Sequence, residues 1–151
     1  MLSRLASMLK PPAEGNWQAG HIGLHGIWYE EWLGGKWQRL EIDGEMLVGQ
    51  PHHVIYFGDE NAWKQKPAWA QHRRDEIIDR IKSKFRIPDY EYDGEAILSE
   101  ADKDILIRAA GGLSDTPCRW ASCTSPALHG KQFCVTHCHP QSLWRQPTCP
   151  A

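Results

Sequence analysis

Cysteine is missing from the first 117 residues, acidic side chains are missing from the last 36, and no apolar run extends beyond a few positions in a chain of 151 residues. Runs that short exclude a membrane-spanning helix, which needs roughly 18 consecutive apolar residues. The five cysteines, Cys118, Cys123, Cys134, Cys138 and Cys149, all crowd into the last third. That clustering argues against a disulfide scaffold spread over the chain, and it fits a metal site in a reducing, cytoplasmic compartment. Charge is also sparse. The net value is −2, and residues 116–151 carry Arg119, Lys131 and Arg145 with no acid, which leaves −5 for residues 1–115. A field this small attracts phosphate weakly, unlike the basic faces of duplex binders. Walker loops, dinucleotide-binding glycine patterns and serine-nucleophile elbows are absent as well, so the common enzyme classes find no support.

What is present is an ordinary globular composition with one excess. Apolar residues make up 41% and charged residues 24%, near the values of folded domains, and the length suits one domain with a small appendage. Tryptophan occurs eight times, at 17, 28, 32, 37, 63, 69, 120 and 144. Most of these rings are expected in the core, since burial is where large aromatics contribute most.

Along the chain, residues 1–16 bring Leu2, Leu5, Met8 and Leu9 at helical spacing before Pro11 and Pro12 stop the pattern, and they read as a frayed terminus or short docking helix rather than a secretory signal. From 20 to 58 the pattern is β: runs at 27–33, 36–42, 45–48 and 53–57 are separated by Gly34-Gly35, Asp43-Gly44 and Gly49-Gln50-Pro51. Two-residue Gly-Gly and Asp-Gly turns between β-rich runs predict an antiparallel meander of three or four strands. Trp28 and Trp32 share one parity on their strand, as do Trp37, Arg39 and Glu41 on the next, so one face is expected to carry aromatics beside charges. A helix is predicted over 68–86 from the stripe Ala70, Ile77, Ile78, Ile81 and Phe85. Its other face, with Arg73, Arg80 and Lys84, is expected to be solvated and self-paired, Glu76 to Arg80 and Asp79 to Lys82. A second helix over 100–110, capped by Ser99 with Asp102, should bury Ala101, Ile105, Leu106 and Ala109. Between them, Asp89, Glu91, Asp93 and Glu95 form an acidic stretch that lacks the glycine and terminal glutamate of a calcium loop. The resulting fold class is α+β, with 17–113 as the body, 114–139 as a finger and 140–151 as a proline-containing tail.

The finger carries the strongest chemical signal. Cys118 and Cys123 are separated by four residues, Cys134 follows after ten more, and His137 and Cys138 come two residues later. Two close pairs of soft ligands joined by a short loop suit tetrahedral Zn2+, because each pair makes a knuckle and the loop brings the knuckles together. This arrangement, with Thr124-Ser125-Pro126-Ala127 and then Gly130-Lys131-Gln132-Phe133 before Cys134-x2-His137, resembles the short zinc fingers attached to many phage and bacterial HNH-type endonucleases and small regulators. The likeness covers about 20 residues, as fingers of this size do, and implies a structural zinc module. Those fingers commonly place an aromatic after the histidine; Cys138 stands there instead, so His137 is the expected fourth ligand and Cys138 its substitute.

Two further sets of residues offer weaker signals. His53 (or His52), Asn61 and His72 follow the order of an HNH nuclease site, but Pro67 interrupts the region where a second hairpin strand should run. His21, His25, Glu30, His52 and His53 could form a second, catalytic metal site, against the commoner role of strand histidines as hydrogen-bonded structural residues. The leading expectation is a non-enzymatic, zinc-stabilised interaction protein, phage- or mobile-element-like, that docks on a larger protein assembly through Trp28, Trp32, Arg119, Trp120 and Lys131. A nucleic-acid-binding accessory factor using Arg119, Trp120, Lys131 and Arg145 is the competitor, and an HNH-like nuclease the third reading.

Overall fold

The protein is described by a computed structural model covering residues 10–93 and 98–137. Three strands, β1 (Trp17–Ile22), β2 (Gly26–Leu33) and β3 (Lys36–Ile42), form an antiparallel sheet in the order β1-β2-β3. Gly34 and Gly35 close the β2-β3 hairpin at φ 59° and 79°. Two consecutive left-handed residues give the turn whose twist matches the flanking strands, and glycine adopts it without strain.

A second sheet combines β4 (Gly44–Met46), β5 (His53–Tyr56) and β6 (Tyr90–Asp93) in the order β4-β5-β6, with β5 and β6 parallel. Between β5 and β6 run α1 (Glu60–Trp63), α2 (Ala68–Gln71) and α3 (Arg74–Lys84), and after β6 comes α4 (Glu100–Ala109). The chain ends its described part in a hairpin of β7 (Leu113–Pro117) and β8 (Pro126–Leu128). The molecule is therefore α+β. No helix among the described residues is long and apolar enough to cross a membrane.

The core lies between the inner face of the first sheet, the second sheet and the helices: Ile27, Tyr29, Leu40 and Ile42 meet Ile55 and Phe57, Trp63, and the stripe Ala70, Ile77, Ile78, Ile81 and Phe85. The helical period read from the sequence thus marks the buried side of α2 and α3. Ser99 and Asp102 make a reciprocal capping box on α4. That satisfies two of the amides a helix start leaves orphaned.

Several expectations are corrected. The antiparallel meander holds for β1-β2-β3, but β4 and β5 leave it for a second three-stranded sheet, and the acidic stretch contains that sheet's β6. Its parallel partner lies more than thirty residues upstream, a pairing that local turn chemistry cannot reveal. The strand β1 also went unread, since Gly20 and Ala19 give it little β propensity. The helix expected over 68–86 breaks at His72 and Arg73. The Ala70 carbonyl, which a continuous helix would offer to Arg74, accepts instead from the Trp63 indole at 2.9 Å and the Arg73 amide at 3.0 Å. On α4, Ile105 and Leu106 pack on the core, but Ala101 and Ala109 are exposed.

The tryptophans are corrected too. Among the described residues Trp63 is the fully buried tryptophan, while Trp17 and Trp69 pack against the core and each stack with Tyr29, their ring centres 5.8 and 6.3 Å from its own. Trp28, Trp32 and Trp37 lie outside the core cluster.

The arginine face of α3 is not a solvated stripe. Arg73 and Arg80 reach Glu31 of β2, which is 1% exposed, at 2.9 and 3.1 Å, and both also hold Glu76. Tyr29 donates to the same carboxylate at 3.0 Å. Burial would raise the Glu31 pKa, but the hydrogen bonds from Arg73, Arg80 and Tyr29 outweigh it and hold the carboxylate below its ordinary value. Burial also pushes the Tyr29 phenol up to about 12. Lys82 pairs with Asp102 of α4 at 3.7 Å rather than with Asp79, and Lys84 donates to the Ala19 carbonyl on the outer edge of β1. Lys66 donates to the Glu41 carbonyl on β3 at 2.8 Å. Lysines thus blunt both edges of the first sheet.

Candidate metal centre

The finger is built outward from the β7-β8 hairpin. Main-chain bonds from the Cys118 amide to the Ser125 carbonyl, 2.8 Å, and from the Arg119 amide to the Gln132 carbonyl, 2.9 Å, lock the first cysteine beside the returning chain. The Cys123 amide bonds back to the Trp120 carbonyl at 3.0 Å, and Ser122 takes the left-handed conformation at φ 68°, which aims Cys123 back toward Cys118. On the other side the His137 amide bonds to the Cys134 carbonyl at 3.0 Å, a one-turn knuckle that the two-residue spacing dictates.

These constraints bring Cys118, Cys123, Cys134 and His137 together, with all four ligand atoms within 4.8 Å of one another. The Cys123 and Cys134 sulfurs are 3.9 Å apart, and His137 Nδ1 lies 3.4 Å from the Cys118 sulfur and 3.2 Å from the Cys134 sulfur. A tetrahedron with metal–sulfur bonds of 2.3 Å and metal–nitrogen bonds near 2.05 Å has edges of about 3.8 Å between sulfurs and about 3.6 Å between sulfur and nitrogen. These three separations lie within about 0.4 Å of those edges, whereas a disulfide requires sulfurs about 2.05 Å apart. Cys118, Cys134 and His137 are buried, and burial pushes the Cys134 thiol up to about 11. Three clustered thiols in so dry a pocket are costly neighbours, and a cation that binds them as thiolates removes that cost. The residues fit a metal ion held by one nitrogen and three sulfurs, with Nδ1 of His137 as the donor.

Little apolar surface supports this segment: Ala127 and Leu128 are its buried aliphatic residues. The Trp120 ring sits 5.7 Å from the His137 ring and is half-buried there, while Arg119 and Lys131 are exposed, Arg119 touching Gln132 at 3.3 Å. Cys138, the substitute ligand, lies outside the described residues, as do Arg145, Cys149, Trp144, the tail and the leucines of residues 1–9.

The two alternative metal sites do not assemble. Among the described residues the Cys3His set is the one group of three or more metal-ligand side chains that converges. His53 is buried and its Nε2 is 2.7 Å from the His25 carbonyl; His21 Nε2 is 3.0 Å from the Tyr90 hydroxyl. Their rings, with those of His52, Phe85 and Tyr90, form an aromatic cluster joining β1 to β5 and β6, with centroids 5.1 to 6.1 Å apart. Glu30 faces away from them and binds Gln18 and Arg39 at 2.8 and 3.3 Å. In the nuclease set, exposed Asn61 on α1 accepts from Lys64, and His72 ends α2 in the solvent. Asp89, just before β6, and Glu91 and Asp93 along it form no such group among the described residues.

On the outer side of the first sheet the parity expectation is met residue by residue. Trp28 stands opposite Glu41, Glu30 opposite Arg39, and Trp32 opposite Trp37. The Arg39 guanidinium lies 5.1 Å from the Trp28 ring centre and contacts Glu30 and Glu41 at 3.3 and 3.5 Å. A Cβ on Gly20 would fall 2.7 Å from the Trp28 indole, so the ring lies flat on a strand position that only glycine leaves open. Trp32 and Trp37 meet edge to face, 5.6 Å apart at 78°.

The aromatic and ionic pairing of Tyr29, Glu31, Arg73 and Arg80 is what the sequence reading missed; its signal is an acid at the inward parity of β2, between Tyr29 and Leu33, which demands cationic partners. Comparison with known protein families, curated proteins and solved structures gives no match to this chain.

Proposed function

We propose that the chain is a non-enzymatic, zinc-stabilised interaction protein that docks on a larger protein assembly. The observation that carries the metal part is the tetrahedral spacing of Cys118, Cys123, Cys134 and His137. Zn2+ suits three thiolates and one imidazole, and four protein donors fill its coordination, so its role is to hold the finger folded. The docking part is supported by the outward row of indoles on the first sheet and by the weak net charge, with Arg119 and Lys131 exposed beside the metal.

Two measurements test this. Elemental analysis of the purified chain should return one zinc per molecule, and Cys123→Ser should lose it; metal-free protein with an intact finger removes the zinc assignment. Labelled single- and double-stranded DNA and RNA should fail to bind at low salt. Micromolar binding that weakens steeply with salt, and that disappears on charge reversal of Arg119 and Lys131, overturns protein docking in favour of a nucleic-acid accessory role.

A further inference from the structure

Among the described residues β3 is an outer strand of the first sheet, with β2 on one side and no strand on the other. Parity fixes which of its main-chain groups face outward. Trp32 of β2 spends its amide and carbonyl on Asn16 and Gly15, on the β1 side, at 2.8 and 2.9 Å. Alternate residues of β2 from Ile27 to Leu33 therefore bond to their partners on β3, Gln38 and Leu40 among them. The amides and carbonyls of Trp37, Arg39 and Glu41 then point off the edge. Lys66 agrees with this, since its ammonium takes the outward Glu41 carbonyl at 2.8 Å. That lysine blunts one end of the edge and leaves the main chain of Trp37 and Arg39, both exposed residues, open to another strand.

The open stretch is complementary to itself. Antiparallel pairing about a two-fold axis sets outward residues opposite outward residues, which allows Trp37 opposite Trp37, Arg39 opposite Arg39, or Trp37 opposite Arg39. The first carries Arg39 to Gly35, in the hairpin turn at φ 79°, where regular pairing has ended. The second sets guanidinium against guanidinium, a destabilising cross-strand pair, and brings Trp37 to Glu41, whose carbonyl Lys66 already holds. The third avoids both faults. Trp37 and Arg39 of each copy exchange main-chain bonds with Arg39 and Trp37 of the other, and pairing stops at Glu41 opposite Gly35. On the outer face it brings a second indole to an Arg39 guanidinium that already lies 5.1 Å from Trp28. Arg39 keeps its own carboxylates, Glu30 and Glu41, at 3.3 and 3.5 Å, so the junction carries no unpaired cation. Half-buried Gln38 falls on the axis opposite its own copy, and a carboxamide, with both donor and acceptor, can pair with itself.

We propose that the chain forms a two-fold symmetric dimer by pairing β3 with β3 of a second copy, Trp37 opposite Arg39. The pairing joins two three-stranded sheets into one and goes beyond the docking reading, since it requires neither the metal nor another partner.

Sedimentation of the full zinc-loaded chain from about 1 μM to about 1 mM, a range that brackets weak association, should pass from monomer to dimer. As the chain is concentrated, the Trp37 and Arg39 amides should gain protection from hydrogen exchange, while the Gln38 and Leu40 amides, bonded within the sheet, should not change. Trp37→Lys sets a lysine against Arg39 of the other copy and should weaken the dimer at least tenfold; an unchanged melting temperature of the dilute variant shows that it folds. On mild oxidation Gln38→Cys should bridge the two copies, because facing residues that share no main-chain bonds have Cα atoms about 4.5 Å apart. Lys36→Cys, which faces Leu40 of the other copy, should not, and peptide mapping separates such a bridge from the cysteines of the finger. A chain that stays monomeric throughout, a dimer that leaves the Trp37 and Arg39 amides unprotected, or a bridge through Lys36→Cys and none through Gln38→Cys overturns the proposal.

Discussion

The body and the finger are held by different physics. The body has a contiguous core of fifteen buried residues from two sheets and three helices, with a buried ion network pinning α3 to β2. The finger has four ligands and little apolar support. A segment of that size cannot bury enough surface to offset its own ordering, so on the proposed zinc reading its fold is tied to the ion, while the body's fold is tied to packing. The two should therefore fail separately.

The largest effect should come from the metal. Stripping it with a chelator removes on the order of 10 kcal/mol of binding free energy from the finger. Amide exchange of residues 118–137 should then become fast while the body's far-ultraviolet dichroism and Trp63 fluorescence persist. If the body melts together with the finger, the two regions share one cooperative unit and the contrast falls.

Next comes the ion network. Glu31→Ala leaves Arg73 and Arg80 facing a buried, emptied site and should cost about 3–5 kcal/mol in denaturant unfolding, as breaking one partner of a buried pair does. Metal affinity should not move. A loss below about 1 kcal/mol would mean that Glu76 alone satisfies both guanidinium groups, as it could if the network behaved like a surface pair.

A smaller, pH-linked effect belongs to the body. Burial, reinforced for His21 by the charges of His52 and Lys84, and for His53 by those of His21, His52 and His25, lowers both histidine pKa values below 6.5. Tyr90 and Phe85 close the cluster, and Asp89 is the acid beside Tyr90. The unfolded chain then takes up protons at higher pH than the folded one. Stability is complete above about pH 6.5 and falls as pH drops toward the folded pKa values. Melting of the chelator-treated chain, followed by body fluorescence, should shift downward from pH 7.5 to 5, and His21→Asn should flatten that slope. An unchanged slope in the variant would assign the acid sensitivity elsewhere.

The smallest effect contrasts the two faces of one sheet. Arg39 makes the same kind of ion pairs as Arg73, but it is 44% exposed, so Arg39→Ala should cost under about 1 kcal/mol. The buried and exposed versions of one chemistry would then differ several-fold, as solvent screening requires.

Local rules made much of this legible. The Gly34-Gly35 hairpin, the apolar stripe from Ala70 to Phe85, the Ser99–Asp102 cap and the Cys3His spacing all depend on neighbours within a few turns of chain. The shared parity of Trp28, Trp32, Trp37 and Arg39 was readable for the same reason: a strand's period of two fixes which side chains share a face.

The rest depended on distant partners. The sequence could not show that β6 pairs with β5 across three helices, that Trp63 takes the Ala70 carbonyl and breaks a helix, or that the arginines of α3 turn inward to Glu31. Nor could it show that the histidines spend their ring nitrogens on the His25 carbonyl and the Tyr90 hydroxyl rather than on a metal. The residues of each element and the ligands of the metal site are set by short-range geometry. Which buried charge meets which, and which tryptophans stay outside, was decided only when the sheets and helices packed and removed some of those side chains from water.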